Sequence, residues 1–132
     1  MIYVIAGLSL MFFMIAFFIT ENNAKYLLNG YNTMSEEERK TFDLKGFIRF
    51  YRNFHFVLAG SFFVLSLAIA RLNNETWLGL FMAAYPVLAY MYMIRASSRF
   101  GGPERYHKWN HAGVVILGFI LVMMVALILL LG

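Results

Sequence analysis

Gly30-Tyr31-Asn32-Thr33-Met34-Ser35-Glu36-Glu37-Glu38-Arg39-Lys40 is the longest polar interval in a chain that otherwise reads as four apolar runs. Ser35 followed by Glu38 has the spacing of a capping box, in which hydroxyl and carboxylate each satisfy the other residue's backbone amide. Glu36, Glu37 and Glu38 suit the positive end of a helix dipole, and Glu36 with Lys40 is spaced i,i+4 for an ion pair. Immediately upstream, Asn29-Gly30 reads as a helix stop, glycine taking a left-handed position that side chains avoid. The interval is therefore expected to be an ordered polar element between membrane-embedded segments.

Working outward from it, Met1–Ile19, 54–70, 77–94 and 112–131 contain no Asp, Glu, Lys or Arg. Each meets the length of roughly 17–25 residues that a spanning helix needs. Continuous apolar runs lack the alternation of membrane barrel strands, which leaves helices as the spanning form. With 61% apolar and 14% charged residues in 132 positions, a soluble domain could not hide this much apolar surface. The fold class is thus all-α, a single polytopic domain over 1–132 with four transmembrane helices. Met1–Ile19 has no basic lead and no small-residue cleavage site, so it reads as a retained span rather than a signal peptide.

Orientation follows from the loops. Residues 20–53 hold Lys25, Arg39, Lys40, Lys45, Arg49 and Arg52, and residues 95–111 hold Arg95, Arg99, Arg105 and Lys108. The connection between the second and third runs holds Arg71 alone. Short loops rich in Lys and Arg stay cytoplasmic, so both termini are expected outside. Within the first loop, Leu44, Phe47, Ile48 and Tyr51 recur at helical spacing, while Lys45, Arg49 and Arg52 line another face. That pattern predicts an amphipathic helix lying among anionic headgroups before turning into the second span. Tyr3 and Trp77 mark the outer boundary; Tyr26, Tyr31, Tyr106 and Trp109 mark the inner one.

Few residues carry chemistry. The absence of cysteine excludes thiol catalysis and Cys-ligated metals. Gly101-Gly102-Pro103 predicts a turn with proline at the first helical position of the fourth helix. Glu104, His107 and His111 would then share one helix face, a set able to bind a divalent metal. No H-E-x-x-H pattern accompanies it, and no cofactor is expected. His55 reads as an interfacial histidine, since the spans offer no ionisable partner for a proton relay. Tyr85, near mid-bilayer, needs a hydroxyl partner, and Ser61 and Ser66 of the antiparallel second span lie at similar depth. Ala59, Gly60 and Ser61 would allow close helix approach. The net charge of +4 is too small and too clustered at span ends for a nucleic-acid binder.

Gly30-Tyr31-Asn32-Thr33-Met34-Ser35, with Phe42-Asp43 after it, resembles the signature loop of a family of small bacterial membrane proteins of unknown function. Its members have an N-terminal span, this loop and two further spans, covering about residues 1–99 here. The resemblance implies a bacterial cytoplasmic membrane and carries no activity. More distantly the loop is similar to that of sporulation-delay-type toxin-immunity membrane proteins, although Asn32 stands where those have arginine and the chain has fewer spans. That likeness implies a recognition turn made by Gly30, Tyr31, Thr33 and Ser35, in which Asn32 is expected to take part.

The chain therefore reads as a non-enzymatic accessory or immunity protein. It would bind another membrane component through this turn and Lys45, Arg49 and Arg52. The expected partners are anionic lipid headgroups, a membrane protein or further copies of itself. The alternatives are a metal-dependent interfacial enzyme acting on lipid or isoprenoid headgroups through Glu104, His107 and His111, or an oligomeric channel lined by Ser61, Ser66, Tyr85 and Tyr90.

Overall fold

The computed structural model describes residues 1–28 and 30–132; the helix stop expected at Asn29 lies outside the described residues. Its helices are α1 (Ile2–Ile15), α2 (Ala24–Leu27), α3 (Glu36–Arg39), α4 (Leu44–Ala70), α5 (Glu75–Ser97) and α6 (Glu104–Leu131). Single 3-10 turns at Tyr31–Thr33 and Ser98–Phe100 complete the described regular structure. The four long helices run up and down in a row, α1 on α4, α4 on α5 and α5 on α6. The connections at 16–43 and 98–103 meet at one end of the row, where Asp43 N–H donates to the Phe100 carbonyl at 2.7 Å.

Three helices are long and apolar enough to cross a membrane: α4, α5 with its 3-10 continuation, and α6. α1 falls short. Its 14 residues rise about 21 Å at 1.5 Å per residue, against a hydrocarbon core of about 30 Å. The apolar run continues to Ile19, but the helix does not. Phe17 and Phe18 N–H bond three residues back, Asn23 Nδ2 donates to the Phe18 carbonyl, and Thr20 N–H donates to Asn23 Oδ1 at 2.8 Å. This polar turn rolls the chain over so that Ile19 is buried beneath the loop.

The amphipathic segment is not a separate interfacial helix. Asp43 Oδ1 caps it by accepting from Gly46 N–H at 3.0 Å, and α4 then runs unbroken for 27 residues. No glycine or proline interrupts the junction near Arg52-Asn53-Phe54, so nothing favours a bend there. α4 and α6, at 27 and 28 residues, exceed the hydrocarbon thickness by roughly 10 Å. α6 begins at Glu104 with Pro103 as its N-cap, one position earlier than expected for the proline.

Inside the row, Phe12, Leu58, Ala59 and Phe62 form a core flanked by Phe81, Tyr85 and Tyr90. Lipid tails are as apolar as these side chains, so packing and polar contacts hold the helices together. Phe12 meets Phe62 edge-to-face at 5.5 Å. The Tyr85 hydroxyl donates to Ser61 Oγ at 2.7 Å, the contact expected from sequence. Gly60 faces away from the interface, with no neighbour near its missing side chain. His55 is fully buried among the helices. Its Nδ1 lies 2.8 Å from the Tyr51 carbonyl and its Nε2 3.0 Å from the Tyr90 hydroxyl. A carbonyl only accepts, so Nδ1 donates to Tyr51, and Nε2 is satisfied by the Tyr90 hydroxyl.

Candidate functional site

The end of the molecule where the two long connections meet carries the candidate site. Its interior is an apolar cluster of Ile19, Ala24, Leu28, Met34, Phe42, Phe47, Ile48 and Tyr106, with Tyr31, Tyr51 and Phe100 packed against it. Phe42 is the hinge of this cluster, its ring within 5.7 Å of those of Tyr31, Phe47 and Tyr106. Phe42 also forms an isolated antiparallel bridge with Gly101. Gly101 holds φ +91, and a side chain there would strike the Thr41 carbonyl.

A clasp fastens the polar loop over this cluster. The capping box forms as expected: Glu38 N–H donates to Ser35 Oγ and Ser35 N–H to Glu38 Oε2 at 2.8 Å. The same Glu38 carboxylate takes both arms of Arg105, at 2.7 and 2.9 Å, while Arg105 also donates to the Thr33 carbonyl at 2.9 Å. A bidentate guanidinium plus a backbone amide stabilises the carboxylate anion. Arg105 beside Glu38, followed by the Ser35 backbone amide, holds that carboxyl at about 2, down from an ordinary 4.5. Lys40 pairs with Glu37 at 3.0 Å rather than with Glu36.

The residues expected to form a recognition turn are brought together, and several of them are spent on this internal docking. Gly30 holds φ +90 against the Tyr106 ring. Thr33 Oγ1 donates to the Gly30 carbonyl at 2.7 Å. Tyr31 packs on Phe42 and under Arg39. Asn32 faces outward, as do the side chains of Thr33 and Ser35. Tyr31 and Tyr106 are accordingly packing residues rather than free boundary aromatics, whereas Tyr26 and Trp109 are exposed.

Around the clasp lies an excess of positive charge. Lys40, Arg105 and Lys108 have carboxylate partners. Lys25, Arg39, Lys45, Arg49, Arg52, Arg95 and Arg99 have none among the described residues. Lys45 and Arg49 are exposed on α4. Arg52 turns instead over the Phe17 ring at 5.8 Å, with its Nε buried and unpartnered. Arg99, from the 3-10 turn after α5, lines with Arg49 an open groove of about 510 Å³. That pairing joins residues 50 positions apart, and no feature of the sequence announces it.

Glu104, His107 and His111 do not converge. Glu104 pairs with Lys108 at 3.2 Å, and no group of three or more His, Cys, Asp or Glu side chains among the described residues is placed to hold a metal. His107 and His111 instead line, with Arg95 and Asn110, a groove between α5 and α6. Ser61, Tyr85 and Tyr90 are engaged within the chain, and Ser66 is wholly buried.

Three helices long and apolar enough to cross a membrane, joined at a clasped basic end, define a helical membrane protein. A family model described as a domain of unknown function, DUF3784, matches residues 5–100, and the chain belongs to that family. Neither the curated proteins nor the solved structures compared with the chain give a match. The match ends at Phe100, so Arg105 and Tyr106, which fasten the loop, lie beyond it.

Proposed function

We propose that this chain is a non-enzymatic accessory protein of the bacterial cytoplasmic membrane. In this reading α1, extended by the turn to Ile19, completes a fourth crossing, and both basic connections face the cytoplasm. The clasped end then docks another membrane component of negative charge. The observation that carries the proposal is the set of cations without carboxylate partners on a surface held rigid by Arg105, Glu38 and the capping box. An ordered basic surface beside a bilayer attracts anionic headgroups or acidic segments, each cation contributing on the order of 1 kcal/mol. The apolar runs 54–70, 77–94 and 112–131 carry no Asp, Glu, Lys or Arg from which to build a proton or ion pathway.

A photo-crosslinking side chain at Asn32 or Lys45, in native membranes, tests this. The expected result is a discrete adduct that disappears when residues 30–35 are scrambled, while membrane insertion is unchanged. Adducts that survive the scramble would remove the docking role.

A further inference from the structure

We infer that the groove between α4 and α5 holds the phosphate of an anionic glycerophospholipid between Arg49 and Arg99, with an acyl chain lying against Val57 and Tyr92. The inference rests on the docking reading above and names its ligand. The groove is two-sided in chemistry. Its head carries Arg49, Arg99 and Asn53, and its tail carries Phe54, Val57 and Tyr92.

No carboxylate lines the groove. The nearest on α4, Asp43, is occupied in capping Gly46. Arg99 lies over two rings, its Cζ 4.5 Å from the Phe50 centroid and 5.0 Å from that of Phe100. Aromatic faces support the flat side of a guanidinium and leave its N–H edge free, and that fork matches a phosphate. Arg49 and Asn53 are exposed and have no side-chain partner among the described residues.

A lipid fits better than free phosphate because the groove does not stop at the arginines. Arg49 to Val57 covers eight residues of helix, about 12 Å at 1.5 Å per residue. At its far end Val57 is 69% exposed and Tyr92 60% exposed. The uncharged run of α4 begins at Phe54, so on the docking reading Val57 falls within the hydrocarbon and Arg49, two turns earlier, at headgroup depth. An inorganic anion would use only the head, whereas a phospholipid uses both.

The full-length protein, purified in a neutral detergent, would be titrated with dioleoyl phosphatidylglycerol or dioleoyl phosphatidylcholine and its retained lipid counted by native mass spectrometry. Preferential retention of one phosphatidylglycerol is expected. Arg49→Gln with Arg99→Gln should lower that retention at least tenfold, and Val57→Trp, which leaves every charge in place, should lower it too. Arg71→Gln at the opposite end, and Lys108→Gln at the same end outside the groove, should not. Millimolar inorganic phosphate should fail to compete. Equal loss from Lys108→Gln would mean diffuse surface attraction. Competition by phosphate would mean a free-anion site, and absence of any preference would mean no site; each overturns the inference. A discrete cross-link from Asn32 alongside no lipid preference would leave the docking role standing with a different occupant.

Discussion

Replacing Gly30 with alanine strikes the structure where the polar loop rests on α6. Gly30 has φ 90 and ψ −52, a backbone region that costs a side-chain-bearing residue about 1–3 kcal/mol. The added methyl would sit 2.6 Å from both Cδ2 and Cε2 of Tyr106. That ring cannot swing away freely, since it is 5% exposed and wedged edge-on against Phe42 at 5.6 Å. Overpacking of this kind adds about 1–3 kcal/mol. The two effects act on the same docking, so Gly30→Ala should weaken the clasp by roughly 2–6 kcal/mol.

Hydrogen exchange in nanodiscs reads that loss directly. The Asn32, Thr33 and Met34 amides donate to the Leu28, Gly30 and Tyr31 carbonyls, and their protection should fall at least about thirtyfold, since 1.4 kcal/mol is tenfold. Gly60→Ala is the matched control. It lies inside α4 with open space around it, where alanine gains about 0.5–1 kcal/mol over glycine. Unchanged protection in Gly30→Ala, or equal effects of the two variants, would refute the reasoning.

The clasp should also be acid-labile in a defined window. Glu38 titrates at about 2 when docked and near 4.5 when free, so its contribution is present above about 4.5 and lost as pH falls toward 2. Carbon NMR of the Glu38 carboxyl should show that low midpoint, rising in Arg105→Leu toward the ordinary range while the Ser35 amide still holds it below. In the row, Tyr90→Phe should destabilise more than Tyr85→Phe. It orphans His55 Nε2, a loss of about 1–3 kcal/mol. Ser61, by contrast, keeps the Val57 carbonyl at 2.6 Å, leaving a loss below about 1 kcal/mol. Unfolding in mixed micelles orders the pair. Phe42→Ala, removing the ring shared by Tyr31, Phe47 and Tyr106, should cost about 3–5 kcal/mol and release the loop without dispersing the row.

What was legible in the sequence is what local chemistry dictates. Runs without charge gave three helices of spanning length, and the fixed offset between Ser35 and Glu38 gave the capping box. Tyr85 found Ser61 because a mid-bilayer hydroxyl has few choices. The failures have one cause, partners distant in sequence. The apolar run to Ile19 does not stay helical past Ile15, because Ile19 is drawn into a cluster built from Phe42 and Tyr106. The basic stripe of Lys45, Arg49 and Arg52 read as a helix of its own because periodicity cannot tell a separate helix from the overhang of a longer one. His55 shows no partner in the sequence because Tyr90, 35 residues away, gives no sign that it will meet the ring. Arg105 reads as one more cation in the sequence, because Glu38, the carboxylate in its fork, lies 67 residues earlier.

Docking at the clasped end requires that end to face the cytoplasm. The chain has no cysteine, so single cysteines at the exposed positions Thr33, Ser98 and Asn74 can be challenged with a membrane-impermeant maleimide on intact cells. Asn74→Cys should label at once, and Thr33→Cys and Ser98→Cys only after permeabilisation. Labelling of either loop position from outside, at a rate matching Asn74→Cys, would contradict the account.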